Sequence, residues 1–347
     1  MIAQLEEIGD MVIVMHAHAS QDEIDGVVES VRRLGFRPHV SQGEETTIVG
    51  VIGHSSPLDL ESLELLPGVD HMVPVTKPYK LGSRDFRPVN TVVSVEGISF
   101  GGEPVVIVAG PCAVESEEQL WETAQAVKAA GATVLRAGAF KPRTSPYSFQ
   151  GLGRNALEML DRLRKELGLA VVTEVLSVDD VDLVARHVDI LQVGARNMQN
   201  FSLLQAVGRS GHPVLLKRGM SATVEELLMS AEYILANHND QVILCERGIR
   251  TFETSTRFTL DISAVPVLKY VTHLPVIVDP SHAVGKWRFV PAAAKAGLAA
   301  GADGLIVEVH PRPAEALSDG AQSLRCDRFA TLMDELRPLA AALGRSL

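Results

Sequence analysis

From residue 104 onward the chain repeats one pattern eight times: a short apolar run, a loop, then a helical stretch. The apolar runs are Val105–Ala109, Thr133–Ala137, Ala170–Glu174, Ile190–Val193, Val214–Lys217, Val242–Cys245, Val276–Val278 and Gly304–Val307. Helical periodicity fills the intervals, as in Gln119–Ala130, Ala156–Leu167, Val224–Ala236 and Val290–Ala300. A strand that is apolar on both faces, rather than alternating, belongs in a parallel sheet covered on each side. Eight such units over about 240 residues predict closure into a (β/α)8 TIM barrel. An open, doubly wound sheet is the alternative, but the pattern shows no switch point.

Upstream the pattern differs. Met11–Met15, Arg37–Ser41, Thr46–Gly53 and Met72–Val75 read as strands, with helices over Gln21–Leu34 and Leu58–Leu66. This βαββαβ order predicts a small ferredoxin-like α+β unit. Lys77-Pro78-Tyr79-Lys80-Leu81-Gly82-Ser83-Arg84 reads as a linker. A hairpin then follows, Thr91–Val95 and Ile98–Gly102 around Gly97, placed to plug one end of the barrel. The predicted division is therefore 1–80 for the small domain, 81–103 for linker and hairpin, and 104–347 for the barrel.

Composition narrows the partners. A net charge of −11 argues against nucleic acid or an anionic membrane surface. No apolar run approaches the roughly 18 residues of a membrane span, and the opening Met-Ile-Ala-Gln-Leu-Glu-Glu has no signal-peptide character. Three widely spaced cysteines, Cys112, Cys245 and Cys326, make no disulfide framework and point to a reducing cytoplasm.

In a closed parallel barrel the chemistry sits at the carboxyl ends of the strands. Reading those ends in turn gives Cys112; Arg136, with Lys141 and Arg143 in the loop beyond; Glu174; Arg196; Lys217 and Arg218; Glu246 and Arg247; Asp279 and His282; Glu308 and His310; and Asp319 in the last loop. Any one of these alone has a bland reading, a core thiol or a satisfied histidine. Eight strands ending in charged or ligand-type groups at one rim do not. Cys112, His282, Glu308 and Asp319 offer thiolate, imidazole and two carboxylates, a set suited to one divalent transition metal. Arg136, Lys141, Arg143, Arg196, Lys217 and Arg247 supply fixed positive charge for a substrate set with several anionic groups. A Lewis acid beside such a pocket predicts condensation of two small, anionic, phosphorylated metabolites.

Gly151-Leu152-Gly153-Arg154-Asn155-Ala156, with Glu174 downstream, resembles half of a dinucleotide fingerprint. In that motif the glycines follow the strand at once. Here the long Gly-, Pro- and Ser-rich loop after Arg136 intervenes, so the glycines are assigned to a crowded loop-to-helix turn.

The motifs Ala109-Gly110-Pro111-Cys112, Lys141-Pro142-Arg143-Thr144, Gly194-Ala195-Arg196, Leu216-Lys217-Arg218-Gly219, Cys245-Glu246-Arg247-Gly248, Asp279-Pro280-Ser281-His282, Val307-Glu308-Val309-His310 and Leu317-Ser318-Asp319-Gly320 resemble those of 3-deoxy-D-arabino-heptulosonate 7-phosphate (DAHP) synthases. The variety with a ferredoxin-like regulatory domain is most similar, over nearly the whole chain. The resemblance implies condensation of phosphoenolpyruvate with D-erythrose 4-phosphate, releasing phosphate, at the entry to the shikimate pathway. It implies that Arg136, Arg196, Lys217 and Arg247 hold phosphoenolpyruvate, that Lys141, Pro142, Arg143 and Thr144 line the erythrose 4-phosphate site, and that Ala195 is a further substrate-binding position. It implies Cys112, His282, Glu308 and Asp319 as ligands of one divalent ion, with manganese, iron, cobalt, zinc and cadmium all acceptable to this donor set. Lys141 is assigned as proton donor and Glu174 as the group that orients water. The small domain resembles one that binds an aromatic amino acid, tyrosine or phenylalanine, and His39 and Ser41 match its contact positions. Ordinary polar residues on a strand are the other reading of those two. A homotetramer or dimer is also implied. The sister family that makes the eight-carbon sugar acid from arabinose 5-phosphate typically carries Lys-Ala-Asn-Arg in place of Lys141-Pro142-Arg143-Thr144, so the loop favours the four-carbon sugar. A catalytically silent, amino-acid-sensing barrel is the reading from another class, and the complete set of site residues speaks against it.

Overall fold

The computed structural model describes residues 11–42, 46–52, 62–74, 78–142, 145 and 147–347. It forms two compact units, Met1–Pro78 and Tyr79–Leu347.

In the first unit, β1 (Met11–Met15), β2 (Arg37–Gln42), β3 (Thr47–Ile52) and β4 (Val69–Pro74) form one antiparallel sheet in the order β2-β3-β1-β4. This is the ferredoxin-like order. The helix Gln21–Arg33 starts with a capping box between Ser20 and Glu23, which satisfies two backbone donors that would otherwise lack partners. Its Ile24, Val27 and Val31 pack with Ile13, Met15, Val49 and Val51 on one face of the sheet. Strand β4 begins at Val69, three residues earlier than its apolar run suggests, because Met15 pairs with Val69 across an irregularity in register. Of the second helix predicted, residues 62–64 are helical and 58–61 lie outside the described residues.

In the second unit, β7 (Val106–Gly110), β8 (Val134–Arg136), β9 (Ala170–Glu174), β10 (Ile190–Val193), β11 (Val214–Lys217), β12 (Val242–Glu246), β13 (Val276–Val278) and β14 (Gly304–Glu308) close into an eight-stranded parallel barrel with helices between them. Alternation along each strand divides the side chains into two layers. Outward residues such as Ile107, Leu135, Leu191, Leu216, Leu244 and Val307 pack under Leu120, Leu157, Leu203, Leu227, Leu268 and Leu332 of the surrounding helices. Inward residues, including Val106, Val134, Ala170, Ile190, Ile243 and Ile277, form a separate core with Val93, Val95 and Phe100. Those three come from the hairpin of β5 (Val93–Val95) and β6 (Ile98–Phe100). Its two-residue turn, Glu96-Gly97, has φ +47° and +82°, as a twisted hairpin requires. Because the inward residues it meets lie at the starts of the strands, the hairpin seals the amino-terminal end and leaves the carboxyl rim open.

Residues 79–84, inside the segment read as a linker, are bound into this unit. Tyr79 is buried. The Glu232 carboxylate accepts the amides of Lys80, Leu81 and Gly82 at 3.0, 2.7 and 3.1 Å. Backbone amides make much of that attachment, which composition does not mark, and the Arg84 guanidinium adds a bond to the Lys269 carbonyl at 2.9 Å. No described helix is long and apolar enough to cross a membrane.

Candidate active site and metal centre

Cys112 follows β7, where the chain passes so close to β8 that a Cβ on Gly110 would lie 2.1 Å from the Arg136 carbonyl oxygen. Only glycine fits there. The Cys112 thiol is buried and donates to Asp319 Oδ2 (3.2 Å), with Ser318 Oγ 3.1 Å away. Cys112 Sγ and one oxygen each of Glu308 and Asp319 all lie within 4.8 Å of one another. His282 meets this group at Glu308: its Nε2 is 3.4 Å from Oε1.

The histidine's orientation follows from its other nitrogen. Nδ1 lies 2.7 Å from Asp279 Oδ2, and an ionised carboxylate only accepts, so Nδ1 carries a proton and Nε2 is the nitrogen turned toward Glu308. Asp279 also caps the short helix Pro280–Val284 by accepting the His282 amide at 2.9 Å, and it pairs with Lys217. Burial works against the Asp279 charge, yet His282 and Lys217 outweigh it and hold the carboxyl well below its ordinary range. Glu308, also buried, accepts from Arg136 Nη1 and Gln322 Nε2, both at 2.7 Å. Burial again opposes ionisation, and His282 and Arg136 more than offset it. At Cys112 the balance goes the other way: burial, reinforced by Glu308, pushes the thiol up to about 12. A buried thiol crowded by two carboxylates, beside the His282 Nε2, fits one divalent cation, whose charge would take the thiol to thiolate. Cys112, His282, Glu308 and Asp319 are the residues that would hold it.

Beside this centre is a cavity of about 380 Å³ whose wall includes Arg136, Lys141, Lys217, Arg247, Arg196 and Glu174. Arg136, Lys141, Lys217 and Arg247 are each at least nine-tenths buried; Arg196, in the turn Ala195–Asn197, is exposed. Lys141 Nζ donates to the Cys112 carbonyl at 3.1 Å. The Arg247 guanidinium lies over the Phe258 ring, 4.3 Å from its centroid. Arg136 Nε and Arg247 Nη1 are buried without a hydrogen-bond partner among the described residues. Orphaned guanidinium N–H groups at the wall of a cavity are where an anion belongs.

Pro142 and Ala195 line the same cavity; Arg143 and Thr144 lie outside the described residues. Arg218 turns away from it, donating to Glu246 (2.8 Å) and Asp261 (2.9 Å). His310 is drawn off to Glu115, 3.3 Å away. His39 and Ser41 are exposed on β2, opposite Gly50 and Ile48. They share the sheet face not covered by the Gln21–Arg33 helix.

Glu174 ends β9 and reaches over Gly194, where an added Cβ would lie 2.0 Å from its Oε1. Gly194→Ala is therefore expected to push the Glu174 carboxylate out of position while leaving every charge in place. If Glu174 handles a proton or a water, kcat falls on the order of 10²-fold or more with thermal stability little changed. Full turnover in this variant would remove Glu174 from the reaction.

Sequence reasoning passed over Gln192, Arg257 and Gln322. Gln192 is the one polar residue in the buried strand Ile190–Val193 and lines the cavity, a signal that was readable. Arg257 sits in a polar stretch, Thr251–Phe258, that reads as solvated loop. Yet it lines the cavity and donates to Asp319 Oδ1 (3.3 Å) and Gln322 Oε1 (2.8 Å).

Comparison with known proteins gives a consistent picture. The profile of the DAHP synthetase I family matches residues 90–342, and that of the DAHP synthase ferredoxin-like domain matches residues 11–77. A phospho-2-dehydro-3-deoxyheptonate aldolase of Thermotoga maritima is 49% identical over 334 residues, 96% of this chain and 99% of the relative. A 2-dehydro-3-deoxyphosphooctonate aldolase of Acidithiobacillus ferrooxidans is 34% identical over 248 residues, 66% of this chain and 87% of its own length. The crystal structure of the Thermotoga maritima DAHP synthase superposes with a TM-score of 0.88 at 48% identity, covering 97% of this chain and 98% of that one. A truncated form of the Thermotoga maritima synthase superposes with a TM-score of 0.73, covering 77% of this chain.

Proposed function

The chain belongs to the DAHP synthetase I family, transferases of the shikimate pathway, and we propose on that premise that its cavity is where phosphoenolpyruvate and D-erythrose 4-phosphate are condensed with the aid of a divalent metal. One observation carries the reading: two buried guanidinium groups with unsatisfied N–H donors stand at the wall of the cavity that Asp319 and His282 also line.

Arg136, Arg196, Lys217 and Arg247 take the phosphate and carboxylate of phosphoenolpyruvate. Those cations offset the mutual repulsion of two anions at close quarters, and because most are buried they do so in a medium where each contact is strong. Lys141 and Pro142 begin the erythrose 4-phosphate site, which Arg143 and Thr144 complete. Cys112, His282, Glu308 and Asp319 would hold a divalent ion, which when bound would supply Lewis acidity toward the aldehyde carbonyl. The enol carbon attacks the aldehyde carbon, and Lys141 donates a proton to the oxygen that gains charge. Glu174 orients the water that adds to the adjacent cationic carbon before phosphate leaves.

Phosphate release from phosphoenolpyruvate tests this directly. Erythrose 4-phosphate is expected to support it and arabinose 5-phosphate to do so poorly, with a chelator abolishing the reaction and added metal restoring it. Preference for the five-carbon sugar would place the chain with the sister synthases. Unchanged turnover after complete metal removal would discard the metal centre.

The small unit is proposed to carry feedback by tyrosine or phenylalanine through the sheet face that bears His39 and Ser41. Removing residues 1–78, a cut that spares the buried Tyr79 and the amides held by Glu232, is expected to leave turnover within severalfold and to abolish inhibition by either amino acid. Inhibition that persists in the truncated chain would move the effector to the barrel.

A further inference from the structure

We infer that Arg257, acting through Gln322, is a positioning residue that aims two of the four proposed metal donors; the inference rests on the metal-centre reading above. Asp319 and Gln322 belong to the loop after β14, whereas Arg257 comes from the loop after β12. Arg257 Nη1 reaches Asp319 Oδ1 at 3.3 Å and Gln322 Oε1 at 2.8 Å. With its oxygen thus occupied, the Gln322 amide turns its nitrogen to Glu308 Oε2 at 2.7 Å. A single guanidinium nitrogen therefore contacts one donor carboxylate directly and a second through one amide.

The chain of contacts leaves little freedom. Gln322 is 2% exposed, and an amide that uses its oxygen and its nitrogen at opposite ends has only one satisfactory orientation. Glu308 is consequently held at both oxygens, Oε1 by Arg136 and Oε2 by Gln322. Asp319 has φ +53°, a left-handed conformation that a non-glycine residue keeps only when its surroundings impose it. Here the Gln322 amide and the Ser323 hydroxyl both bond the Asp319 carbonyl, at 3.1 and 3.2 Å.

The other end is fixed as well. The Arg257 amide donates to the Val284 carbonyl (3.2 Å) and the Phe258 amide to that of Ala283 (2.8 Å), both within the helix that carries His282. Gly285 makes this approach possible, since a Cβ there would lie 2.4 Å from Arg257 Cβ. Arg257 thus joins the segments that present His282, Glu308 and Asp319, although it is itself no ligand. Outer partners of this kind orient ligands and tune metal affinity.

The experiment is a competition titration of the full-length chain against a chromophoric chelator with Co²⁺ at fixed pH, read by the chelator's absorption, with the thiolate-to-cobalt band as a second signal in the variants that keep Cys112. Wild type is compared with Arg257→Met, Arg257→Lys, Gln322→Met and Cys112→Ala, each checked by thermal unfolding. Arg257→Met is expected to weaken cobalt binding about 10- to 100-fold, and Arg257→Lys to recover part of the loss by keeping charge beside Asp319. Gln322→Met is expected to weaken binding too, and its combination with Arg257→Met to cost less than the two losses multiplied, because both residues act in one chain. Cobalt affinity within twofold of wild type in Arg257→Met, with KM for the sugar phosphate raised, would make Arg257 a substrate ligand and overturn the inference. Cys112→Ala binding cobalt like wild type would instead overturn the metal centre on which it stands. If Gln322→Met does not fold, the Arg257 pair decides the question alone.

Discussion

Cys112→Ala is expected to lose metal and turnover together while the barrel stays folded. Burial pushes the thiol's pKa far above neutrality, so in the metal-free protein it is an uncharged group, and removing it unbalances no charge. Its contacts to Asp319 and Ser318 are those of a small buried side chain, worth about 1 kcal/mol each. A Lewis acid, by contrast, contributes several kcal/mol of transition-state stabilisation, so turnover should fall on the order of 10³-fold or more. Metal analysis and phosphate release measured on one preparation check both halves. An alanine variant that keeps its metal and its rate would refute the thiolate as a ligand. Cys112→Ser is the useful companion, because a serine hydroxyl fills the space and yet does not ionise readily.

Arg218→Met is expected to destabilise the barrel by about 3–5 kcal/mol, the cost of leaving a buried charge without its partner. Arg218 adjoins Lys217, but its guanidinium binds Glu246, which is fully buried, and Asp261. Glu246 retains the Gly248 amide at 2.7 Å, which limits the damage without cancelling the charge. Denaturant unfolding should show a large drop in midpoint. Residual activity at low temperature should keep an ordinary KM for phosphoenolpyruvate, since Arg218 does not line the cavity. A midpoint unchanged by this substitution would mean that Glu246 needs no counter-charge.

Cys112 and Arg218 mark where a sequence stops being informative. The strands Ala170–Glu174, Ile190–Val193, Val214–Lys217 and Val276–Val278 have the same ends in the structure as in the apolar pattern, because unbroken apolar runs have no other place to go. The readings of 242–246 and 304–308 stopped one residue short, at the carboxylates Glu246 and Glu308. A carboxylate looks like a strand terminator until a buried arginine neutralises it, and that arginine comes from elsewhere in the chain. The rim positions of Cys112, His282, Glu308 and Asp319 were legible because barrel topology sends every strand end to one side.

What each side chain does at that rim was less legible. Lys217 and Arg218 are adjacent cations, one at the cavity and one in a structural pair. Glu308 and His310 are two apart, which within a strand means the same face, but the strand ends at Glu308 and His310 turns to Glu115. Arg257 was invisible because its contacts to Asp319 and Gln322 join two loops that no periodicity links.

The floor sealed by Val93, Val95 and Phe100 has a bearing on traffic. On the proposed reading, reactants and products reach and leave the cavity by the carboxyl rim, the end opposite that hairpin.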